Sequence, residues 1–416
     1  MRRFVSILVP LLLVCGFDCV AARAGTIVIA NRSPVRIAFQ FREGENPPQD
    51  ITLTSGELCS LSCKQPGKLA YANGDGAHEV PLDLNSVYGF IDTKGEVVLR
   101  GVALTSPASE KAAAQARVAK ELSAANAVHP AGAGNPAAGN PSAVIPATNP
   151  AAPLPAATLP AAALPAGVVP KGAPKGGDEE NAKKYLVIPI KVLVDDDETG
   201  SSHAWKGRIA RRVQAANEIF EKQCRVKFEI VAYDTWVSDN RITDFNQSLA
   251  EFERKVKPEP ARIAVGFTSQ YALPMGHFHL GGTRGPMHPH VLVREWSQQI
   301  NEPERLEVLI HELGHYMGAV HSPASDSSMR AILGDRQARA KDFRIGFDPI
   351  NVLAMSMISE AMRVRDVHSL AELPMATQLR LNDIYTSIGA ALPNDPTPDQ
   401  YRQFLRYPQY IPSKKP

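Results

Sequence analysis

The middle of the chain contains a long segment that cannot form a hydrophobic core. Alanine and proline dominate residues 106–180, in repeats of the type Asn-Pro-Ala-Ala and Leu-Pro-Ala. A segment so poor in large apolar side chains cannot bury enough surface to offset the conformational entropy lost on folding. Proline also disfavours regular helix, so we expect an extended, disordered linker. This linker divides the chain into two regions that we expect to be separable.

The first 24 residues have the organisation of a secretory signal peptide. Two arginines at positions 2–3 precede an apolar run at 4–14, and Ala22–Ala24 supplies a small-residue cleavage site. The apolar run is too short to span a bilayer. We therefore predict cleavage after Ala24 and a secreted, extracytoplasmic protein. A buried N-terminal strand is the alternative for this segment.

The acidic and basic side chains nearly balance. The sequence has 45 Lys and Arg against 43 Asp and Glu, a formal net charge of +2, and removal of the signal peptide brings the charge close to zero. This balance gives no general electrostatic reason to bind nucleic acid or an anionic membrane. No later stretch is long and apolar enough to cross a bilayer. We expect no nucleic-acid partner, no transmembrane segment in the mature chain, and a monomer.

The cysteines do not indicate a disulfide-rich framework. Cys15 could carry a lipid anchor, but Val14 is a poor residue before a lipidated cysteine. Cys59 and Cys63 are close enough in sequence to pair in an oxidising compartment, and the sequence leaves open whether they do. Cys224 ends a helical pattern, which favours a buried apolar residue over a reactive thiol.

Residues 25–105 predict a small all-β domain. Short runs rich in β-branched and aromatic residues at 26–30, 35–41, 51–53 and 97–99 are separated by turn-forming clusters. This pattern is typical of a small β-sandwich or barrel, and we predict a β-sandwich-like domain. Its residues indicate no chemistry, so its role stays open.

Residues 181–395 predict a second folded region in which strands and helices alternate. Strand patterns lie at 185–194, 226–236, 262–268 and 290–296, and helical patterns lie at 204–224, 245–256, 301–317, 349–362 and 377–391. Such alternation predicts a mixed α/β sheet. The remaining residues, 396–416, are proline-rich, and we expect a loosely wrapping C-terminal tail.

The segment from His311 to His321 has the spacing of a metal site. On a helix, residues four apart lie on one face, so His311 and His315 present two imidazoles to one point. Gly318 can turn the chain sharply and bring His321 back as a third ligand. Three protein ligands leave the fourth position of a zinc ion open, which is typical of catalytic sites. Glu312 follows the first ligand and can act as a general base without ligating the metal.

The full motif, His-Glu-x-x-His-x-x-Gly-x-x-His followed by a methionine, is the metzincin signature, and residues 181–395 resemble that class of zinc peptidases. Met329 lies eight residues after His321, and Ser322 follows the third histidine. This spacing is most similar to the matrixins, the matrix-metalloproteinase-like branch, and residues 378–390 are similar to their last helix. The resemblance implies an α/β (α+β) metzincin-like fold, one catalytic zinc ion, Met329 as an apolar floor beneath it, and a peptide or protein substrate.

Several features differ from the matrixin pattern. Arg330 and Ala331 stand where matrixins usually have an aromatic residue and proline. No Pro-Arg-Cys-Gly segment is present, so the sequence does not support latency through a cysteine on the zinc. The usual residues for a second zinc ion and for calcium are absent. An additional apolar helix is predicted at 349–362.

Other polar clusters leave alternatives open. His277, His279, His288 and His290 could form a second metal site or contact substrate, or they could be strand and loop histidines that bind nothing. The acidic run 195–198 could bind Ca²⁺, and a solvated turn is the favoured interpretation.

In metzincins the edge strand before the active helix binds the substrate backbone. Phe278–Thr283 and His290–Val293 are the two candidates for that strand in this chain.

The sequence therefore predicts a secreted zinc metalloendopeptidase. Two other functions are compatible with a zinc site: an exported, non-catalytic zinc-binding or adhesion protein, and a zinc hydrolase of a non-peptide amide. Glu312 argues against the first, because a purely structural metal site does not need that carboxylate. The sequence indicates neither the cleavage specificity nor the activation mechanism.

Overall fold

The computed structural model describes residues 25–102, 185–269, 280–295 and 301–405. The predicted signal peptide, the predicted linker, and the candidates His277, Phe278 and His279 lie outside the described residues. The described residues all belong to one compact unit. No helix within these described ranges is long and apolar enough to cross a membrane.

The N-terminal region is a sandwich of two four-stranded sheets, as the all-β prediction expected. Its strands are β1 (Gly25–Asn31), β2 (Ile37–Glu43), β3 (Gln49–Leu53), β4 (Leu58–Cys63), β5 (Gly67–Asn73), β6 (Gly76–Leu82), β7 (Ser86–Thr93) and β8 (Glu96–Gly101). One sheet has the order β4-β1-β7-β8 and the other β3-β2-β5-β6. Apolar side chains such as Ile27, Phe39, Leu69 and Phe90 fill the space between the sheets.

Strand β1 is buried on both faces, which accounts for its uninterrupted apolar sequence. Ile27 and Ile29 point into the sandwich and join its core. Val28 and Ala30, on the opposite face, belong to the core of the C-terminal region. The outer face of this sheet is therefore an internal surface of the protein.

The C-terminal region contains the predicted mixed α/β sheet. Its strands are β9 (Leu186–Asp195), β10 (Val226–Trp236), β11 (Ile263–Thr268), β12 (Gly281–Thr283) and β13 (His290–Arg294), and its helices are α1 (Ser202–Cys224), α2 (Phe245–Lys255), α3 (Glu302–Tyr316), α4 (Pro349–Val364), α5 (Met375–Ala391) and α6 (Thr397–Gln403). The sheet order is β10-β9-β11-β13-β12. All pairings are parallel except that of β12 with β13, so the edge strand beside the candidate site runs antiparallel.

Helix α4 is the additional helix predicted at 349–362, and it is buried on nearly all sides. On one side it contacts β1, β4 and β7 of the sandwich, and on the other it contacts α1, α5 and β9. Val28, Leu58 and Val87 of the sandwich therefore share one core with this helix. The sequence led us to expect two separable regions, and the structure instead joins them through α4.

The C-terminal segment also differs from the expected loose tail. Helix α6 begins just after Pro396, and its Tyr401 is buried, as is Leu405 one turn later. Of the prolines that suggested an irregular tail, Pro396 is the N-cap of this helix and Pro398 lies in its first turn, where proline is well tolerated. Residues 406–416 lie outside the described residues.

The two cysteines of the sandwich do not pair with each other. Cys59 and Cys63 are both free thiols on β4, and four residues of extended chain span about 13 Å, too far for a disulfide. Burial raises the pKa of each thiol to about 12, so both remain protonated and unreactive at neutral pH. Cys224 is fully buried, as its position in a helical pattern predicted.

Candidate metal centre

Helix α3 carries the first part of the predicted site. The Glu304 carboxylate accepts a hydrogen bond from the backbone N–H of Asn301 at 3.1 Å, the reciprocal bond of the predicted capping box. The helix ends after Tyr316, and Gly318 follows in the left-handed region with φ +89°. A Cβ at this position would collide with the side chain of Ile358, so both the backbone angle and the packing require glycine here.

Beyond this turn, His321 meets the two helical histidines. One ring nitrogen from each of His311, His315 and His321 lies within 4.8 Å of the others, and this is the one such group among the residues that the structure describes. The Nδ1 atom of His311 donates to the Ser328 carbonyl at 2.8 Å, and that of His315 donates to the Ala319 carbonyl at 2.9 Å. Because a carbonyl oxygen can only accept, Nε2 of each ring keeps its lone pair for a metal.

The third ring is fixed by a carboxylate instead. His321 Nδ1 lies 2.6 Å from Asp395 Oδ2, in the turn between α5 and α6. Asp395 is the last residue of the predicted domain, and sequence reasoning did not identify it. No local spacing could have done so, because 74 residues separate it from His321.

The electrostatics keep the helical histidines neutral. Burial, together with the neighbouring His315 and His321, lowers the pKa of His311 well below its usual value. Burial and the nearby His321 lower the pKa of His315 to about 3. Neutral imidazole is the form that binds zinc, so the donor set fits this metal.

Glu312 lies beside the histidines and points into the same cleft. The side chain is buried, and its Oε2 atom has no hydrogen-bond partner in the described part of the chain. Burial raises the pKa of this carboxyl to about 8. An unpartnered buried carboxylate oxygen next to three inward-facing imidazoles fits a metal centre with an open position for water.

The predicted methionine turn packs against the metal-binding helix. Met329 is fully buried, and its Sδ atom would lie 2.8 Å from a Cβ placed on Gly314, so the close contact requires glycine on the helix. The Met329 carbonyl accepts a hydrogen bond from the Ser322 N–H at 2.8 Å. This bond ties the turn to the residue that follows His321.

Arg330 contacts this turn from the other side, a role that no sequence pattern indicated. Its guanidinium forms a buried ion pair with Glu307, one helical turn before His311. It also contacts Asp335 at 2.9 Å and lies over the ring of Phe343. The residue that departs from the matrixin pattern therefore connects the methionine turn to the metal-binding helix.

The cleft around the histidines has a volume of about 300 Å³. Besides the metal-site residues, its walls come from α2, β12, the segment after Met329, and α6: Phe245, Asn246, Leu249, Leu280–Gly285, Ala331, Leu333, Thr397, Gln400 and Tyr401. A larger cavity of about 710 Å³ lies between the sandwich and the C-terminal region and contains none of the metal-site residues.

The other predicted clusters do not assemble into a metal site among the described residues. His290 Nε2 bonds to the Val256 carbonyl at 2.9 Å, and His288 lies 3.8 Å from Glu253. His290 is thus a core residue of β13. Whether His277 and His279 join His288 is outside the described residues.

The acidic run 195–198 is a turn after β9, though not a fully solvated one. Asp195 is buried and accepts hydrogen bonds from Thr268 Oγ1 at 2.7 Å and from the Ser269 N–H at 2.6 Å. Asp196 accepts from the Ser238 N–H at 2.8 Å. No group of metal ligands within the described ranges includes these carboxylates, so the alternative of a Ca²⁺ site gains no support.

Sequence comparison agrees with this geometry. Residues 190–341 match the Reprolysin_5 family model, described as metallo-peptidase family M12. This segment is similar to the M12 metallopeptidases. The match runs from β9 to beyond the methionine turn and includes all three histidines and Glu312. It supports a zinc peptidase of the metzincin type and does not extend to the sandwich, α4, α5 or α6. No curated protein matches the chain.

Two solved structures show a weak overall likeness. An archaemetzincin from Methanopyrus kandleri is 17% identical, with 42% of this chain and 96% of that chain covered and a TM-score of 0.31. A chaperone–substrate complex is 10% identical, with 44% of this chain and 35% of that chain covered and a TM-score of 0.30. At these TM-scores neither likeness supports an argument, and the M12-like match rests on the sequence.

Proposed function

We propose that the protein is a secreted zinc metalloendopeptidase. The observation that supports this most directly is the unpartnered Oε2 atom of Glu312 beside three histidines whose Nδ1 atoms are all engaged. A structural zinc site would have four protein ligands and no need of a buried carboxylate next to it. A peptidase needs both an open metal position and a base within reach of the attacking water.

The histidines and Glu312 have different roles in the proposed mechanism. His311, His315 and His321 would hold the zinc ion, which when bound supplies Lewis acidity to a water molecule and to the scissile carbonyl. Glu312 accepts the proton of the attacking water and returns it to the leaving amine. A zinc ion beside this buried carboxyl would favour its ionised form, which is the form that accepts a proton.

Strand β12 is the better of the two candidates for substrate binding. The other candidate, His290–Val293, lies in β13, which is already paired on both sides by β11 and β12. Residues Leu280–Gly285 line the cleft, and β12 is the edge strand of the sheet. We infer that its outer edge pairs with an extended peptide, whose backbone then passes Glu312.

The matrixin-like branch and the extracytoplasmic location are further parts of this proposal. The branch is supported by the spacing from His321 to Met329 and by Ser322, while the matched family is M12. The location is supported by the signal-peptide pattern that ends at Ala24.

A peptide-library cleavage assay tests the proposal. The zinc-loaded full chain without residues 1–24 is incubated with a broad library, and Glu312→Gln serves as the matched control. Cleavage by the wild type that is lost in the variant supports the peptidase. Absence of cleavage in both, with zinc bound, favours the non-catalytic binding protein. Turnover of a small amide but of no peptide favours the non-peptide hydrolase.

A further inference from the structure

The three candidate ligands are held in different ways. His311 and His315 sit on one helix, and their rings donate to backbone carbonyls of Ser328 and Ala319. His321 follows the helix after a turn, so no helical backbone orients it. Its Nδ1 atom lies 2.6 Å from the Asp395 carboxylate and, at a longer 3.4 Å, from the Thr397 hydroxyl.

Asp395 is itself held in a fixed orientation. Its Oδ1 atom accepts the N–H of Thr397 at 2.9 Å, and its own N–H donates to the Leu392 carbonyl at 3.0 Å. The Asp395 side chain is only 9% exposed. One oxygen of the carboxylate thus contacts the start of α6, and the other contacts the ring of His321.

Helix α6 touches a second ligand through Tyr401. The Tyr401 hydroxyl donates to the backbone carbonyl of His315 at 3.1 Å, and its ring stands edge-on to the ring of Tyr385 at 5.8 Å. The Tyr385 hydroxyl in turn donates to the carbonyl of Gly318, the glycine of the turn. Two buried tyrosines and one carboxylate therefore connect the C-terminal helices to the metal-site backbone.

We propose that Asp395 is a positioning residue of the metal centre, and that residues 395–405 complete the site although they lie outside the M12-like segment. The carboxylate selects the tautomer of His321 that keeps Nε2 free and holds the ring facing the other two imidazoles. Carboxylates bonded to metal-ligating histidines typically raise metal affinity by about 10–100-fold. This inference rests on the proposed zinc site, but it does not depend on peptide cleavage.

Zinc affinity of the full chain without residues 1–24 tests the proposal. Competition titration with a chromophoric chelator gives the zinc dissociation constant of wild type, Asp395→Asn and Asp395→Ala. We expect about a 10–100-fold weaker constant for Asp395→Ala and a smaller loss for Asp395→Asn, which keeps an acceptor oxygen. Asp399→Asn is the control, because Asp399 is exposed, lies on α6 four residues after Asp395, and pairs only with Arg402 among the described residues. This control should bind zinc as wild type does.

A spectroscopic readout separates positioning from general stability. In the Co²⁺-substituted protein, the visible absorption bands report ligand geometry, and we expect them to change in Asp395→Ala and to stay unchanged in Asp399→Asn. Unchanged zinc affinity and unchanged bands in Asp395→Ala would overturn the proposal. If Asp395→Ala fails to fold by circular dichroism, the same two measurements are made on the near-isosteric Asp395→Asn. Unchanged zinc affinity and unchanged bands in that variant would then overturn the proposal. A chain that binds zinc in an Asp395-dependent way but cleaves no peptide refutes only the proposed function.

Discussion

Gly281 of β12 lies directly against Glu312 of the metal-binding helix. A Cβ added at Gly281 would stand 2.6 Å from Cγ of Glu312, closer than real side chains approach. The edge strand and Glu312, the proposed general base, can therefore occupy their positions together only if residue 281 has no side chain. This contact fixes where a peptide bound along β12 would pass the base.

Gly281→Ala should lower activity without removing zinc. The added methyl group forces Glu312 or β12 to shift, and displacement of a catalytic group by about 1 Å can cost about 10²-fold in rate. The three histidines are not touched, so zinc content should stay at one per chain. Peptide-cleavage rates together with elemental analysis check this, with Gly74→Ala as control, since nothing lies within 4 Å of a Cβ there. Wild-type activity in Gly281→Ala would contradict the role of this contact.

Glu312→Gln should retain zinc and lose hydrolysis. Glutamine keeps the size of the side chain but cannot accept the water proton, so kcat/KM should fall by roughly 10²-fold or more. The metal ligands are unchanged, and the zinc dissociation constant should remain within a few-fold of that of the wild type. If a zinc-loaded variant cleaves peptides at the full rate, Glu312 is not the base.

Arg330→Met should destabilise the fold strongly. The substitution leaves the buried carboxylate of Glu307 without its main partner, and broken buried ion pairs typically cost about 3–5 kcal/mol. The double variant Arg330→Met with Glu307→Leu removes both charges and should recover much of that loss. Urea unfolding of the wild type, both single variants and the double variant measures the coupling. Additive effects of the two changes would show that the pair does not hold the methionine turn.

Cutting the linker should not release the sandwich from the C-terminal region. Val28, Leu58 and Val87 pack in one core with α4, so separation would expose a helix that is apolar on nearly all sides. A specific protease site inserted within 106–180 allows a clean cut, and we expect the two fragments to co-elute from a sizing column with zinc bound. The region from residue 181 onward, expressed alone, should aggregate or unfold at lower urea. If the isolated fragment is stable and binds zinc, the two regions are separable, as the sequence suggested, and this prediction is wrong.

The contact between the sandwich and α1 should weaken in acid. Hydrogen bonding to the Lys222 ammonium, and then to the Thr54 N–H, lowers the pKa of Glu57 from 4.5 to about 2 in the folded state. Because the folded pKa is depressed, this contribution to stability is fully present above about pH 4.5 and is lost as the pH falls towards 2.

Half-exposed pairs of this kind contribute at most about 1 kcal/mol. The measurement is the difference in urea midpoint between wild type and Glu57→Gln at several pH values. The other carboxylates titrate in both proteins, so their contribution to stability cancels in that difference. A difference that persists unchanged at pH 2 would contradict the assignment.

The sequence by itself determined the central part of the site. Helical periodicity places His311 and His315 on one face, and Gly318 provides the turn that returns His321. These relations span a few residues, so local backbone geometry is enough to predict them. The β-branched run at 26–30 likewise predicted the strand β1, although not that both of its faces are buried.

Only the tertiary structure decided which distant groups complete the site. Asp395 reaches His321 across 74 residues, and Arg330 reaches Glu307 across 23. Such partners are selected by how helices and turns pack, which no spacing in the sequence records. The failure of Cys59 and Cys63 to pair also depends on the structure. The two cysteines are four residues apart in sequence, but the extended geometry of one strand separates them. It also explains why the sandwich and the C-terminal region, divided by a linker in sequence, share a core around α4.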